Sequence, residues 1–310
     1  MLSNLRSGLG DPGVYDFVRE LGEHRVEVTL RFLTEGADLG HLLRDADSYT
    51  RVVAVGGDGT VSSIAYALRG TGIPVLAYPA GTANLIARNL RLPLDPPDLA
   101  LATIVGRTVT IDMGELTLHE HEEPEARRVG FAIAAGAGFD AAVMEAAQPF
   151  KSTLGEGAYI IGALQNIAPT VARFTLDLDG STHVTEGIAV LVVNLARIQF
   201  DLAVAHGSDA QDGLFEVVVL KTRTAAGLLP AVWAALLDRL QDHPARPGLE
   251  IYSASSVRVV ADPPLPIQYD GEVVEALTPL EARVLPRAAT FIVSDDSPLP
   301  ADDLEPRTSG

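Results

Sequence analysis

The stretch that most limits what this chain can become is RVVAVGGDGTVSSIAYALRG, Arg51 to Gly70. Its apolar run, Val52 to Val55, reads as a buried strand. It stops at Gly56-Gly57-Asp58-Gly59, and a helical pattern starts at Thr60. Glycines at such a junction lift the steric limits that side chains impose and let backbone approach a ligand closely. Amides of the turn and of the helix start then point at an anion, phosphate above all. The loop is neither G-x-x-x-x-G-K-[ST] nor G-x-G-x-x-G, and it carries no lysine. Amides and a metal would have to balance phosphate charge in its place. Asp58 would repel a phosphate here unless it caps backbone or faces a divalent cation. The loop alone leaves a Mg2+-nucleotide site and a structural turn equally open.

A second segment repeats the design. YPAGTANLIARNL, Tyr78 to Leu90, runs strand, Pro79, small residues, Gly81-Thr82, helix. Two such turns after successive parallel strands lie side by side at the carboxyl edge of a sheet, where open α/β sheets bind ligands. Strands and helices alternate from residue 11 to about 105. Asp11-Pro12 starts a helix, Val26, Val28, Leu30 and Phe32 alternate as a strand, and DLGHLLRDA and DPPDLALATIVG read as helices. This is the pattern of a parallel sheet covered on both faces. From residue 110 the texture changes to hairpins: TVTIDMGELTLH with VGFAIAAGAGF, and RFTLDLDGSTHVTEGIAVLVV around the turn Asp179-Gly180. Helical stretches (DAAVMEAAQPF, EGAYIIGALQNIA and AAGLLPAVWAALLDRLQ) interrupt a mostly antiparallel second part. The tail after Ser294 is rich in proline and aspartate and reads as disordered.

The 310 residues suit one large domain or two ordinary ones, with 47% hydrophobic residues to fill them. A formal net charge of −18 argues against nucleic acid as a partner. The absence of cysteine excludes disulfides, thiol nucleophiles and thiolate metal sites. No apolar run is long enough to span a bilayer, and MLSNLRSGLGDPG lacks a signal-peptide core. The expectation is a cytoplasmic protein that meets membranes transiently and from the side.

GGDGT at Gly56–Thr60, followed by PAGTAN at Pro79–Asn84, resembles the diacylglycerol kinase catalytic domain family, which includes bacterial soluble lipid kinases and sphingosine kinases. TIDMG at Thr110–Gly114, HGSDAQDGLFEV at His206–Val217 and IQYDGE at Ile267–Glu272 follow in the family's order. GGDGT alone is weak, because NAD kinases and phosphofructokinases carry it; the three signatures in this order and spacing are strong. The resemblance implies an α/β nucleotide-binding domain over 1–110, completed by a returning segment at about 287–295. It also implies an antiparallel β-sandwich lipid-substrate domain over 111–286, a tail over 296–310, and an active site between the two domains.

The resemblance also implies roles. ATP and Mg2+ would be the cofactors. Gly56, Gly57, Asp58, Gly59, Thr60, Gly81, Thr82 and Asn84 would hold the nucleotide, with hydroxyls from Thr60 and Thr82. Asn84 would orient base or ribose, or cap its own turn. Asp270 would be the general base; read without the family, Asp270-Gly271 is a hairpin turn. Glu272, Asp58 and Asp112 would gather around the catalytic Mg2+. Asp209, Asp212 and the Leu214 carbonyl would hold a structural Mg2+ or form a solvated acidic turn.

Some positions depart from the family. Ser62-Ser63 stand where an acidic residue is usual, and Asn84-Leu85 where Asn-Asp is. SNLRSGLGDP is similar to an N-P-x-S-G-x-G turn through Asn4, Ser7 and Gly8, and the apolar strand expected ahead of it is missing from the sequence. The acceptor implied is a lipid alcohol at a membrane surface. Arg88 and Arg91 are candidates to meet lipid phosphates, Trp233 to enter an interface, and Gly130–Phe139 to line an acyl pocket; each also has an ordinary surface or core reading. A homodimer stays open. Three functions fit: a lipid kinase acting on diacylglycerol or a related alcohol, an NAD kinase-like enzyme, and a catalytically weakened nucleotide- or lipid-binding regulator.

Overall fold

Every residue from Val52 to Gly56 is buried, as a central parallel strand with both faces covered requires. The structure, a computed structural model, describes residues 1–5, 12–34, 36–119, 126–138, 169–195, 197–198, 202–203, 210–222, 248–295, 297 and 299–300. The chain divides into two compact units, Met1–Asp112 with Pro286–Gly310, and Met113–Leu285.

The first unit begins with β1 (Leu2–Asn4), α1 (Gly13–Glu23), β2 (Arg31–Leu33) and α2 (Leu39–Leu42). It continues through β3 (Val52–Gly56), α3 (Asp58–Ala67), β4 (Val75–Pro79), α4 (Leu85–Asn89) and α5 (Pro96–Val105). The strands lie in the order β2-β1-β3-β4 and are all parallel. A three-residue strand, β1, therefore does stand at the first turn. The alternating run from Val26 to Phe32 contributes only its end, Arg31–Leu33, and Leu30 and Phe32 remain 45% exposed; β2 borders β1 alone, so alternation here marks an edge without a second covering layer. The helical residues Val14, Phe17 and Leu21 face inward. Phe17 meets the Tyr78 ring edge-on at 5.2 Å, and α1 packs on α5.

The second unit starts within β5 (Arg107–Leu118), which turns back antiparallel into β6 (Arg127–Phe131). β7 (Ala134–Gly138), β8 (Ala172–Leu178), β9 (Ser181–Gly187) and β10 (Ala189–Val193) follow. Next come the two-residue strands β11 (Arg197–Ile198) and β12 (Leu202–Ala203), then β13 (Phe215–Leu220), β14 (Leu249–Ala254), β15 (Ser256–Asp262), β16 (Pro266–Tyr269), β17 (Glu272–Leu277) and β18 (Leu280–Val293). One sheet carries β18-β15-β8-β9 with β5 and β6; the other has the order β14-β13-β10-β7-β16-β17. Strands such as β8 and β15 alternate buried and exposed residues strictly, the signature of a sheet with one face on a core. Phe131, Phe174, Phe215, Val217 and Ile267 fill that core, and the Phe131 and Phe215 rings stack at 5.5 Å. Phe131, Ala135 and Ala137 of the 130–139 run lie in the sandwich core, and Ala132 and Ile133 are buried.

Two predicted hairpin turns are two-residue loops. Asp179 and Gly180 have φ of 50° and 83°, and Asp270 and Gly271 have φ of 43° and 84°; positive φ at both positions matches the twist of the flanking strands. The end of β18 returns to the first unit, where Phe291 pairs in parallel with Val75 of β4. The chain beyond it is fastened at its start: Arg107 donates to the carbonyls of Ser294, Ser297 and Leu299, and Ser297 is buried. The predicted helical stretches over 140–150, 156–168 and 225–241, the last with Trp233, lie outside the described residues, as do Ser7 and Gly8.

Candidate functional site

In the first unit the two glycine turns are neighbours by register. Val55 pairs with Tyr78 and Gly56 with Pro79, so β3 and β4 end level with each other. Beyond that edge the backbones touch. A Cβ built on Gly81 would lie 2.5 Å from the Gly57 Cα, and one on Gly56 would lie 2.7 Å from the Thr60 Cβ. Neither position has room for a methyl group. Gly57 differs, since its Cβ would meet the Gly81 Cα at an ordinary 3.8 Å. Gly57 is also the N-cap of α3, with extended backbone and no capping side chain, so the first amides of that helix receive nothing from its cap.

Asp58 reaches across from the first turn of α3 to the start of α4. Its Oδ1 accepts the Ile86 N–H at 2.9 Å, a bond spanning 28 residues. The carboxylate thus caps the neighbouring helix and ties one turn to the other. Burial raises its pKa, against the opposing pull of the Ile86 and Leu85 amides and of Arg88. Asn84 does the same service within the second turn. It sits in the left-handed region at φ 51°; its Oδ1 accepts from the Gly81 N–H at 2.8 Å, and its Nδ2 donates to the Gly81 carbonyl at 2.9 Å. This is backbone mimicry by an amide side chain. Thr60 is buried, and its Oγ1 accepts from Asn4 Nδ2 at 2.8 Å. Gly59 is buried and Thr82 exposed. Asp112 is fully buried, and its Oδ1 accepts the Arg287 N–H at 2.7 Å.

In the second unit Asp270 accepts three backbone amides. Oδ2 takes the Ala132 N–H at 2.8 Å, and Oδ1 takes those of Ile133 and Ala134 at 2.9 and 3.0 Å. The Asp270 N–H donates in turn to the Ala134 carbonyl at 2.9 Å. The aspartate of the hairpin loop therefore grips the crossing from β6 to β7, where the chain passes from one sheet to the other. Glu272 is exposed two residues on. It contributes with Asp270 to holding the Tyr269 phenol above its ordinary pKa, although burial is the larger cause. Asp212 folds back on its own turn, its Oδ1 accepting the Leu214 N–H at 2.9 Å, and Gly213 follows at φ 76°. Asp209 lies outside the described residues.

Sequence reasoning passed over Asn194. It is 2% exposed at the end of β10, and its Nδ2 donates to the Ala132 carbonyl at 2.9 Å. A polar residue closing the apolar run IAVLVV was the available signal.

No three of His, Asp and Glu converge as a metal site among the described residues. Asp58, Asp112 and Asp270 each hold backbone amides. No helix among the described residues is long and apolar enough to cross a membrane.

Comparison with known proteins covers both units. The diacylglycerol kinase catalytic domain model matches residues 2–116, and the YegS C-terminal NAD kinase beta sandwich-like domain model matches residues 133–293. An uncharacterized protein of Synechocystis sp. is 30% identical over 79% of this chain, which spans only 55% of that protein's length. A Mycobacterium tuberculosis protein named diacylglycerol kinase is 27% identical over 81% of this chain and 86% of its own. Among solved structures, a diacylglycerol kinase from Bacillus anthracis superposes with a TM-score of 0.70 over 95% of this chain and 96% of its own, at 18% identity.

Proposed function

The chain belongs to the diacylglycerol kinase catalytic domain family, with that family's YegS-type β-sandwich, and from this premise we propose that it is an ATP-dependent lipid kinase. The acceptor is the hydroxyl of diacylglycerol or a related lipid alcohol. The acceptor oxygen attacks the γ-phosphorus, the bond to the β,γ-bridging oxygen breaks, ADP leaves, and Asp270 receives the hydroxyl proton. Such a reaction asks the protein chiefly for positioning and for compensation of charge.

The observation that carries this reading is the contact between Gly57 and Gly81. The two lysine-free turns fit together because Gly81 has no side chain at the junction, and α3 begins at Gly57, which supplies no capping side chain. In this reading the amides of Gly57, Gly59, Thr60 and Thr82 bind the phosphates, the Gly81 N–H being held by Asn84, and the Thr82 hydroxyl adds a donor. Asp58 and Asn84 hold the turns in shape rather than touching the nucleotide base. Mg2+ on the nucleotide would neutralise phosphate charge, with Asp58, Asp112 and Glu272 as the candidate carboxylates.

Transfer of label from γ-labelled ATP to a panel of lipid alcohols in mixed micelles, with NAD as a further acceptor, tests the proposal. The expected result is label in lipid that disappears in Asp270→Asn. Label in NAD, or in no acceptor, would overturn it.

A further inference from the structure

Two peptide planes at the β6–β7 crossing are held at both ends. The carbonyl of Ala132 and the N–H of Ile133 belong to one plane; the carbonyl of Ile133 and the N–H of Ala134 belong to the next. Asn194 takes the carbonyl ends. Its Nδ2 donates to Ala132 O at 2.9 Å and its backbone N–H to Ile133 O at 2.8 Å, with the Leu195 N–H also on Ile133 O at 3.1 Å. Asp270 takes the N–H ends, both on Oδ1, at 2.9 and 3.0 Å. A peptide unit is planar and stiff, so the direction of its carbonyl fixes the direction of its N–H. Hydrogen bonds at the two ends also polarise each other in a dry setting, and Asn194, Ala132 and Ile133 are all buried.

We infer that Asn194 is a positioning residue for Asp270: it orients the amides on which the Asp270 carboxylate is seated. The inference rests on the reading of Asp270 as the base. It follows from the same geometry that Asp270 has little freedom of its own. An ionised carboxylate has about four acceptor positions, and three here are filled by backbone of one short turn. The position of the carboxylate is set by that turn, and the turn is set by Asn194.

Asn194→Asp tests this, because it keeps the size of the side chain and removes the donor to Ala132. With labelled ATP and the lipid alcohol that the wild-type protein phosphorylates, kcat should fall on the order of 10- to 100-fold, the scale for a misplaced catalytic group. KM for ATP should stay within about twofold, because the phosphate turns belong to the other unit; a merely structural loss would lower the active fraction and the melting temperature without this split. Hydrogen exchange gives the second measurement. In the wild-type protein the amides of Ile133 and Ala134 should exchange only with global unfolding, and Asp270→Ala, which removes their acceptor, should release them locally, whether or not the Asn194 variant folds. An Asn194→Asp protein with kcat within twofold of wild type, beside an inactive Asp270→Asn, would overturn the inference while sparing the base. Unprotected Ile133 and Ala134 amides in the wild type would also overturn it. Full activity in Asp270→Asn would instead remove the reading beneath it.

Discussion

Asp58 in the first unit and Asp270 in the second do the same kind of work with opposite surroundings. Each carboxylate accepts backbone amides from a segment distant in sequence, 28 residues away for Asp58 and 136 to 138 for Asp270. Asp58 serves a site made of glycine backbone, and its role is to lock two adjacent turns. Asp270 serves a site made of side chains on backbone, in which Asn194 and the β6–β7 crossing are partners. The contrast shows two ways to fix a functional atom. One removes side chains until backbones touch; the other crosses peptide planes with polar side chains from strands far apart in the sequence. The first is sensitive to added volume and the second to a lost donor or acceptor.

The largest effect should come from adding volume where the turns touch. Gly81→Ala brings a methyl group to 2.5 Å from backbone, and backbone cannot swing aside as a side-chain tip can. Phosphoryl transfer should drop on the order of 100-fold, with ATP affinity, read by calorimetry, falling alongside. Gly57→Ala, with 3.8 Å available, should retain most of both. If the two variants behave alike, the cradle is not shaped by their contact. A similar test exists in the second unit. A Cβ on Gly114 would lie 2.0 Å from Cζ of the Phe131 ring, which is fully buried. Gly114→Ala should cost about 1–3 kcal/mol, as overpacking does. Combining it with Phe131→Leu should give a loss smaller than the sum of the two, measured by denaturant unfolding.

Asp58 separates the capping role from the charge. Asp58→Ala removes the acceptor for the Ile86 amide and should cost about 1 kcal/mol, the usual value of a cap. Asp58→Asn keeps an acceptor oxygen and removes an ionisation that burial opposes. A carboxyl with a raised folded pKa binds its proton more tightly when folded, so its ionisation works against folding as pH rises above the ordinary value of 3.8. Asp58→Asn should therefore equal or exceed the wild type in stability at pH 7, with the advantage shrinking toward pH 4. A drop at pH 7 as large as that of alanine would show that Asn cannot cap here.

The same contrast explains what could be read from sequence. The first cradle is contiguous: strand, glycines and helix start occupy Val52 to Thr60, and the periodicity switches within ten residues. The second turn, Tyr78 to Leu85, is equally local. The D-G of Asp270-Gly271 announced a hairpin, and the hairpin is there, but its three amide donors come from residues 132–134, and no local pattern links the two. Asn194 is hidden for the same reason, since its partners are paired through a sandwich topology that periodicity does not specify. The edge strand misled in a different way: alternation at Val26–Phe32 gave a strand correctly at Arg31–Leu33, but alternation says nothing of whether a second layer covers the apolar side.

The smallest effect concerns Asp45, a carboxylate held by a cation instead of by amides. Arg31 donates to both its oxygens at 2.6 Å, and this bonding holds its pKa at about 2, below the ordinary 3.8. The folded value is the depressed one, so the contribution to stability is complete above about pH 4. It is lost as pH falls from 3.8 toward 2. Asp45→Asn should melt below the wild type by a gap that is constant from pH 7 to pH 5 and closes between pH 4 and pH 2. The pair is solvent-accessible, with 24% and 42% of its side chains exposed, so added salt should narrow the gap at pH 7 as well. Asp58 sits among amides and burial rather than beside solvent, and its pH response should run in the opposite direction and resist salt. No gap at pH 7 would mean that Arg31 is held by the Leu42 carbonyl and Tyr49 alone, both of which it also reaches, and a gap that persisted unchanged to pH 2 would mean that the loss does not come from the charge of the carboxylate.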